Sequence, residues 1–553
     1  MDLNPIVERI LESRGIGAAE LEDFLSPTID RLAKPEELPG IVEAADFILD
    51  SILYRRKIVV FGDYDCDGVC ATAILSRTLK ALGGTVSEFI PDRLTEGYGM
   101  SEQSIARMRK DNPGVGLVVT VDNGINSVEE VTKLKRNWAS VVVTDHHLPG
   151  TELPDANAIV DPKVDAPPHL QNLCGAGVAF LLANRIVSEA KRRGMYSGPS
   201  LGGPLLVLAG LATVTDIMPL LGQNRILVAE ALKRFAACAP LGLRELHARA
   251  ARSARDTLTT RDFGFMLGPR INAVGRVAPF GAVQALELVV SEDREIVREL
   301  ARLVDEHNVE RKAIEQKMVD EAMAKVVPNA AAQVIDLPEG HPGVAGIVAA
   351  RIMERLGERV PVCVLAGGHG SGRAPDGFNI REAFVACDEV LERYGGHAAA
   401  GGFGVKPGRI DDFRRMLCDY CEHFSSMGSD PMERKGEPDL WVEPSDLTLN
   451  LAEEIGLLEP FGEGNREPVF GLRGVTFADA KPMGAEGKHL AVTVIPDPER
   501  RSNSFRAVWW NHSDLVERLR AEGSRPHDVT FSLTISDYGE RHVELRLTGF
   551  SEV

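Results

Sequence analysis

The chain is 553 residues long, 44% apolar and 26% charged, with a formal net charge of −19. These proportions belong to a globular protein of roughly three to four domains and exclude a disordered or fibrous one. The acidic balance excludes wholesale attraction to nucleic acid or an anionic membrane, but a local basic groove would not show in that sum.

In chain order, residues 1–50 read as helical, with Ile6, Ile10 and Leu11 and then Leu21, Phe24 and Leu25 at helix spacing, and as a lead-in to a sheet. No apolar core of a signal peptide follows Met1. From Lys57 to about Pro162 strands and helices alternate, which predicts βαβ crossovers and a parallel sheet. The uncharged run ending at Thr215 begins with Gly, Ser and Pro, and reads as a loop entering a buried helix rather than a membrane span. Residues 293–326 lack Gly and Pro and predict one long helix bridging two domains. A second α/β unit follows over about 330–425, then a linker composition from Ser425 to Pro438, then strand after strand, which predicts a small β-barrel. Eight cysteines, none at paired zinc-ligand spacing, fit a reducing cytoplasm, and Cys418, Cys421 and His423 read as part of a helix.

The chemistry concentrates at three strand ends. Ile58 to Phe61 runs into Asp63, Asp65, Asp67 and Gly68; Leu117 to Val121 runs into Asp122, Asn123 and Gly124; Val141 to Thr144 runs into Asp145, His146 and His147. The first segment is predicted as the loop closing its strand. In an open α/β sheet such ends share one crevice. Carboxylates gathered there repel one another unless a cation sits among them, so the pattern outlines a divalent metal site. Asp216 ends a further apolar run. Arg270 and Arg276, in a Gly-punctuated turn from Gly268, suit phosphate contacts, as do the Gly-rich turns holding Ser371, Arg373 and His397.

Asp65-Cys66-Asp67-Gly68, Asp122-Asn123-Gly124, Asp145-His146-His147 and Asp216, in that order, resemble the successive motifs of the DHH phosphoesterase superfamily. The turns at Ser371 to Arg373 and at Gly396-His397 resemble its companion DHHA1 domain. Tyr98 within Glu96-Gly97-Tyr98-Gly99, the stretch Gly268 to Arg276, and Pro460 to Asn465 narrow the resemblance to the RecJ family of single-strand-specific exonucleases. The implied architecture is α/β: a helical lead-in (1–50), a parallel-sheet DHH domain with a helical extension (51–285), a connecting long helix (286–328), an α/β DHHA1 domain (329–425) and an all-β OB-like barrel (436–553).

The resemblance implies that Asp65, Asp67, Asp122, His146 and Asp216 hold two divalent metals, with Asp122 bridging and catalytic together with His147 beside the scissile phosphate. Oxygen ligands plus one imidazole favour Mn²⁺ or Mg²⁺ over zinc. Phe61 stands where many superfamily members carry a ligand His, so one metal either has fewer ligands or leans on Asp63; Ala374 and Arg466 are lesser departures. The expected activity is 5′-to-3′ hydrolysis of single-stranded DNA in repair and recombination, alongside a helicase and a single-strand-binding protein, in the cytoplasm. Arg93, Arg270, Arg276, Ser371, Arg373 and His397 are the candidates for holding the 5′ phosphate and backbone. In the barrel, Phe461, Trp509 and Trp510 are candidates for base stacking. Two rival readings stand beside this one: a DHH phosphodiesterase of oligonucleotides or cyclic dinucleotides, and a non-catalytic replication scaffold.

Overall fold

The computed structural model describes every residue except 1–2, 19, 94, 98, 138, 252–257, 427–436, 485, 498–503, 523, 537–539 and 553. Tyr98 and most of the Ser425 to Pro438 segment therefore lie outside the described residues. The chain forms two compact units, a larger one of residues 32–218 and 230–433 and a smaller one of residues 1–31, 219–229 and 434–553.

The larger unit begins with a parallel sheet of β1 (Lys57–Phe61), β2 (Thr85–Phe89), β3 (Val115–Thr120), β4 (Ser140–Thr144) and β5 (Ala158–Val160), in the order β2-β1-β3-β4-β5. Runs of Val and Ile buried on both faces are what a sheet covered by helices requires. Phe61 pairs with Thr120 and Thr120 with Val143, so the acidic segments leave the sheet side by side. A second sheet of β6 (Gln333–Leu337), β7 (Val362–Ala366), β8 (His369–Arg373), β9 (Leu391–Gly396) and β10 (Ala400–Val405) runs in the order β6-β7-β8-β10-β9. A 30-residue helix, Arg294–Met323, links the two. At about 1.5 Å per residue it is about 45 Å long. Its carboxyl-terminal residues Met318, Val319 and Ala322 pack under β6 and β7. Residues 286–290 finish a separate helix, Gly281–Val290, so the linking helix starts later than 286; Asp293 caps it by accepting from the N–H groups of Glu295 and Ile296.

Local reading failed at three places where glycine serves packing rather than turning. The helix expected after β1 starts within the acidic segment instead of beyond Gly68, running Cys66–Ala81: Asp65 is its N-cap, accepting from the N–H groups of Asp67 and Gly68 at 3.0 and 3.1 Å. A Cβ on Gly68 would stand 2.5 Å from the Asp63 carbonyl oxygen, so the strand-to-helix junction admits only glycine. The stretch Gly268–Val277 is also helical, entered through a π-helical turn, Phe263–Leu267. A Cβ on Gly268 would meet the Thr215 methyl at 1.9 Å, and one on Gly275 the Tyr64 carbonyl oxygen at 2.8 Å. Ser371 and Arg373 lie on strand β8, where Gly370 and Gly372 make room for Phe403, Ile380 and Phe384.

The smaller unit contains β11 (Leu440–Trp441), β12 (Phe470–Met483), β13 (His489–Ile495), β14 (Phe505–Trp509), β15 (His527–Ser536) and β16 (His542–Glu552). The order is β11-β12-β13-β14-β16-β15, and β15 returns to pair with β12, closing a five-stranded barrel. Closure removes the exposed edges an open sheet would leave. Residues 1–31 do not lead into the parallel sheet. Leu3, Val7, Ile10, Leu11 and Phe24 share one core with Leu451, Ile455, Phe470 and Phe531 of the barrel end of the chain. Arg225 is buried, at 2% exposure. It donates to the carbonyl oxygens of Phe24, Leu458 and Glu459 and stacks on the Phe24 ring at 3.8 Å.

Candidate metal centre and nucleic-acid cleft

The ends of β1, β3 and β4 bring the sequence candidates together. One ligand atom from each of Asp63, Asp65 and Asp122 lies within 4.8 Å of the others, and so do those of Asp67, His146 and Asp216. Asp122 connects the groups, its Oδ1 standing 3.1 Å from His146 Nε2, which is also 3.7 Å from carboxylate oxygens of both Asp67 and Asp216. Asp122 has a φ of 60°, a left-handed conformation that short polar side chains tolerate best. Gly175 permits it, since a Cβ there would come within 2.6 Å of the Asp122 Cβ.

The donor set fits divalent cations. Asp63 Oδ1 and Asp216 Oδ2 are buried with no hydrogen-bond partner among the described residues. Asp216 also caps the carboxyl end of the helix Gly202–Thr215, where the helix dipole disfavours an anion. Burial, then neighbouring carboxylates, pushes Asp63, Asp122 and Asp216 well above the usual carboxylate range, and Asp67 to about 6. Four carboxylates pushed toward protonation by burial and by neighbouring negative charge call for positive charge between them. Asp67 is fixed by the start of the helix Gly175–Arg192, accepting from Gly175 N–H and Ala176 N–H at 2.7 Å each. Phe61 is a core residue, its ring 5.0 Å from that of Phe89, and Asp63 joins the cluster.

The two histidines part company electrostatically. Burial and the adjacent His147 hold His146 down to about 3, keeping it neutral, the form in which an imidazole can hold a metal. His147, despite burial that opposes its charging, is raised to about 9 by Asp145, whose Oδ1 lies 2.7 Å from His147 Nδ1. Asp145 in turn accepts from the N–H groups of Ile125, His146 and His147. Asp145 is therefore a positioning residue, and it was not among the sequence candidates although it opens the motif. Asn272 was missed as well: its Oδ1 accepts from Cys66 N–H at 2.7 Å and steadies the turn that carries Asp65 and Asp67. Replacing Asp145 by Asn should leave folding intact and lower turnover about 10- to 100-fold, the usual effect of losing such an orienting partner. Steady-state hydrolysis alongside a melting curve checks this.

A cleft of about 1000 Å³ runs from the cluster between the two sheets, lined by Tyr64, Arg93, His147, Ser371, Arg373 and His397 among others. The Arg93 guanidinium lies 4.9 Å over the Tyr64 ring. Arg276 donates to the Gly343 carbonyl oxygen, and Arg373 to Ser371 Oγ and the Gly372 carbonyl oxygen. Burial and Arg93 lower both Arg276, to about 10, and Arg373. Guanidinium groups gathered this closely suit an anion, which they can meet with charge-assisted hydrogen bonds. His397 stacks on His147, centroids 6.0 Å apart and planes 12° apart. Arg270 points elsewhere, pairing with Asp305 of the long helix at 2.8 Å and with the Met266 carbonyl oxygen. In the barrel, Phe461 and Trp509 pack against the core, whereas Trp510 is 51% exposed, edge-on to His489.

A parallel sheet whose strand ends gather an Asp/His cluster, facing a second α/β domain across a cleft, defines a DHH phosphoesterase. Family models match in order: the DHH family N-terminal domain over residues 57–201, the DHHA1 domain over 329–423 and the RecJ OB domain over 438–548. The chain belongs to the RecJ family. It is 33% identical to the single-stranded-DNA-specific exonuclease RecJ of Bacillus subtilis, over 98% of this chain and 67% of that one. It is 37% identical to RecJ of Thermus thermophilus, over 87% and 67%, and 31% identical to RecJ of Haemophilus influenzae, over 98% and 95%. Among solved structures it resembles RecJ from Thermus thermophilus in complex with Mn²⁺, with a TM-score of 0.81, 31% identity, and coverage of 100% of this chain and 79% of that one. The same protein in complex with Mg²⁺ gives a TM-score of 0.76 at 30% identity, covering 100% and 75%.

Proposed function

We propose that this protein is a metal-dependent exonuclease that degrades single-stranded DNA from its 5′ end. The observation that carries this reading is one cleft that runs from the Asp/His cluster past Arg93 and Arg373, with Arg276 bonded to Gly343 of its lining. Two Mn²⁺ or Mg²⁺ ions held by Asp65, Asp67, Asp122, His146, Asp216 and Asp63 would supply charge stabilisation to the attacking and leaving oxygens of an in-line displacement. The remaining steps belong to the chain. His147, kept protonated through Nδ1 by Asp145, leaves Nε2 to hold a proton toward the phosphodiester. The arginines with Ser371 grip the 5′-terminal phosphate and set the distance from strand end to scissile bond, while His397 closes over His147. The barrel, through Trp510, offers a surface on which bases of a single strand can stack.

A helicase and a single-strand-binding protein are the partners a single-strand exonuclease in repair and recombination would need, and this assignment rests on the family resemblance. Among the described residues no helix is long and apolar enough to cross a membrane, and all eight cysteines are free thiols. The thiols support placement in the reducing cytoplasm. A scaffold role fits poorly with a complete ligand set. A small cyclic dinucleotide would leave much of the cleft unfilled.

The test is digestion of 5′-labelled single-stranded and duplex DNA with Mn²⁺: release of short 5′-terminal products from the single strand only is expected, and equal attack on duplex would overturn the reading. Arg373→Ala should lower activity on 5′-phosphorylated strands roughly tenfold or more relative to 5′-hydroxyl strands at fixed salt, because a terminal phosphate carries charge an internal diester lacks. An equal loss on both would reduce Arg373 to a general backbone contact.

A further inference from the structure

Arg93 sits in the loop that follows β2, and that loop is fastened on both sides of it. Three residues on, Glu96 turns back so that its carboxylate accepts from the Asp92 N–H at 2.7 Å. The same carboxylate receives two parallel bonds from Arg107, Nε to Oε1 at 2.7 Å and Nη2 to Oε2 at 2.8 Å. Arg107 Nη2 also donates to the Ile90 carbonyl oxygen where the strand ends. The Arg107 guanidinium lies between two rings, 4.1 Å from the Phe89 centroid and 5.1 Å from that of Phe280. Phe280, held at a φ of 54°, donates its N–H to Asp92 Oδ2 at 2.8 Å. The Glu96 side chain is only 8% exposed and that of Arg107 25%.

Glu96 lies three residues from Arg93 in the same short loop, close enough in the chain for a freely swinging guanidinium to reach it. The fork-on-fork geometry commits Glu96 to Arg107 instead, which a bidentate guanidinium does better than any other cation. Arg93 is left over Tyr64, facing the cleft. We propose that Glu96 and Arg107 form a clamp that keeps the Glu96 charge off Arg93 and pre-sets its loop, making both positioning residues for recognition of the 5′-terminal phosphate. Pre-organisation of this kind strengthens binding by lowering the entropy lost when the ligand arrives.

The clamp rests on the reading of Arg93 as part of the 5′-phosphate pocket, so its test separates the two. The readout is the affinity ratio of 5′-phosphorylated to 5′-hydroxyl single-stranded oligonucleotide, measured by fluorescence anisotropy in EDTA at fixed salt, where no hydrolysis intervenes. Arg93→Ala should collapse the ratio. Glu96→Gln and Arg107→Met should each lower it by about tenfold while leaving 5′-hydroxyl affinity within about twofold, the scale of one charge-assisted contact. In the Arg93→Ala background neither should lower it further, as expected for residues acting through a shared partner. A ratio unchanged in both clamp variants but collapsed in Arg93→Ala overturns the clamp and spares the pocket. An equal further drop in the Arg93→Ala background also overturns it, and an unaffected ratio in Arg93→Ala removes pocket and clamp together. Should Glu96→Gln fail to fold, Arg107→Met carries the test, with melting curves as the control.

Discussion

Asp122→Asn should abolish hydrolysis while leaving the metal-free protein at least as stable as the wild type. The loss of activity follows from position: Asp122 joins the Asp63/Asp65 group to the Asp67/His146/Asp216 group, so a weaker ligand there loosens both. Several kcal/mol of transition-state stabilisation disappear, a fall of roughly a thousandfold or more in turnover. Stability moves the other way because burial, and then Asp67, Asp65, Asp63 and Asp216, push the Asp122 carboxyl far above its ordinary range. Asn removes the charge and relieves its neighbours. It is the informative substitution, since Asn tolerates the left-handed backbone at this position whereas Ala would add strain of its own. Melting curves with and without Mn²⁺ supply a readout independent of catalysis. Mn²⁺ should raise the wild-type midpoint by mass action and shift the variant much less. Near-wild-type turnover at saturating Mn²⁺ would sink the bridging assignment.

The second large effect concerns the barrel. Cutting the chain after residue 433, which resembles the simple removal of a terminal domain, should give an aggregating protein rather than a trimmed enzyme. The cut strips Leu3, Val7, Ile10, Leu11 and Phe24 of the core they share with the barrel. It also takes away the Leu458 and Glu459 carbonyl oxygens that solvate the Arg225 guanidinium. Five apolar side chains returned to water, at about 1.5–3 kcal/mol each, exceed what a marginally stable protein tolerates. Arg225→Ala probes the same unit within the full chain. It should cost about 3 kcal/mol or more through orphaned carbonyls and a cavity. Three of the four tryptophans, Trp441, Trp509 and Trp510, lie in this unit, so urea unfolding followed by their fluorescence would register the loss. A soluble, active 1–433 fragment would show that the N-terminal helices do not depend on the barrel.

What the sequence revealed and what it hid divide along the range of the interaction. Asp65, Asp67, Asp122 and His146 were legible because the apolar run before each marks a strand, and parallel strands deliver their ends to one edge. The barrel strands were legible for the same local reason. Glycine misled at Gly268, Gly275, Gly370 and Gly372, where local composition reads as a turn. The cause is a neighbour in space that leaves no room for a Cβ: Thr215 for Gly268, Tyr64 for Gly275 and Phe403 for Gly370, all beyond any local window, and Ile380 and Phe384 for Gly372. The amphipathic helix Pro5–Ser13 announced its apolar face but not which surface would cover it. Asp145 stood in plain view, yet its role as the orienter of His147 depends on hydrogen bonds to Ile125, His146 and His147 that spacing does not encode. Arg270 and Arg276, six residues apart on one helix, read alike; only geometry sends one to Asp305 and the other toward the cleft.

That the smaller unit is stitched from residues 1–31, 219–229 and 434–553 has a consequence for biosynthesis. The first helices leave the ribosome with their apolar faces bare, and the strands that cover them are not made until about 400 residues later. At translation speeds of about 5–20 residues per second this is a delay of roughly 20–80 s. During that interval the larger unit can complete its sheets while the N-terminal segment waits as an amphipathic tail, a natural client for a chaperone that shields exposed leucine and isoleucine.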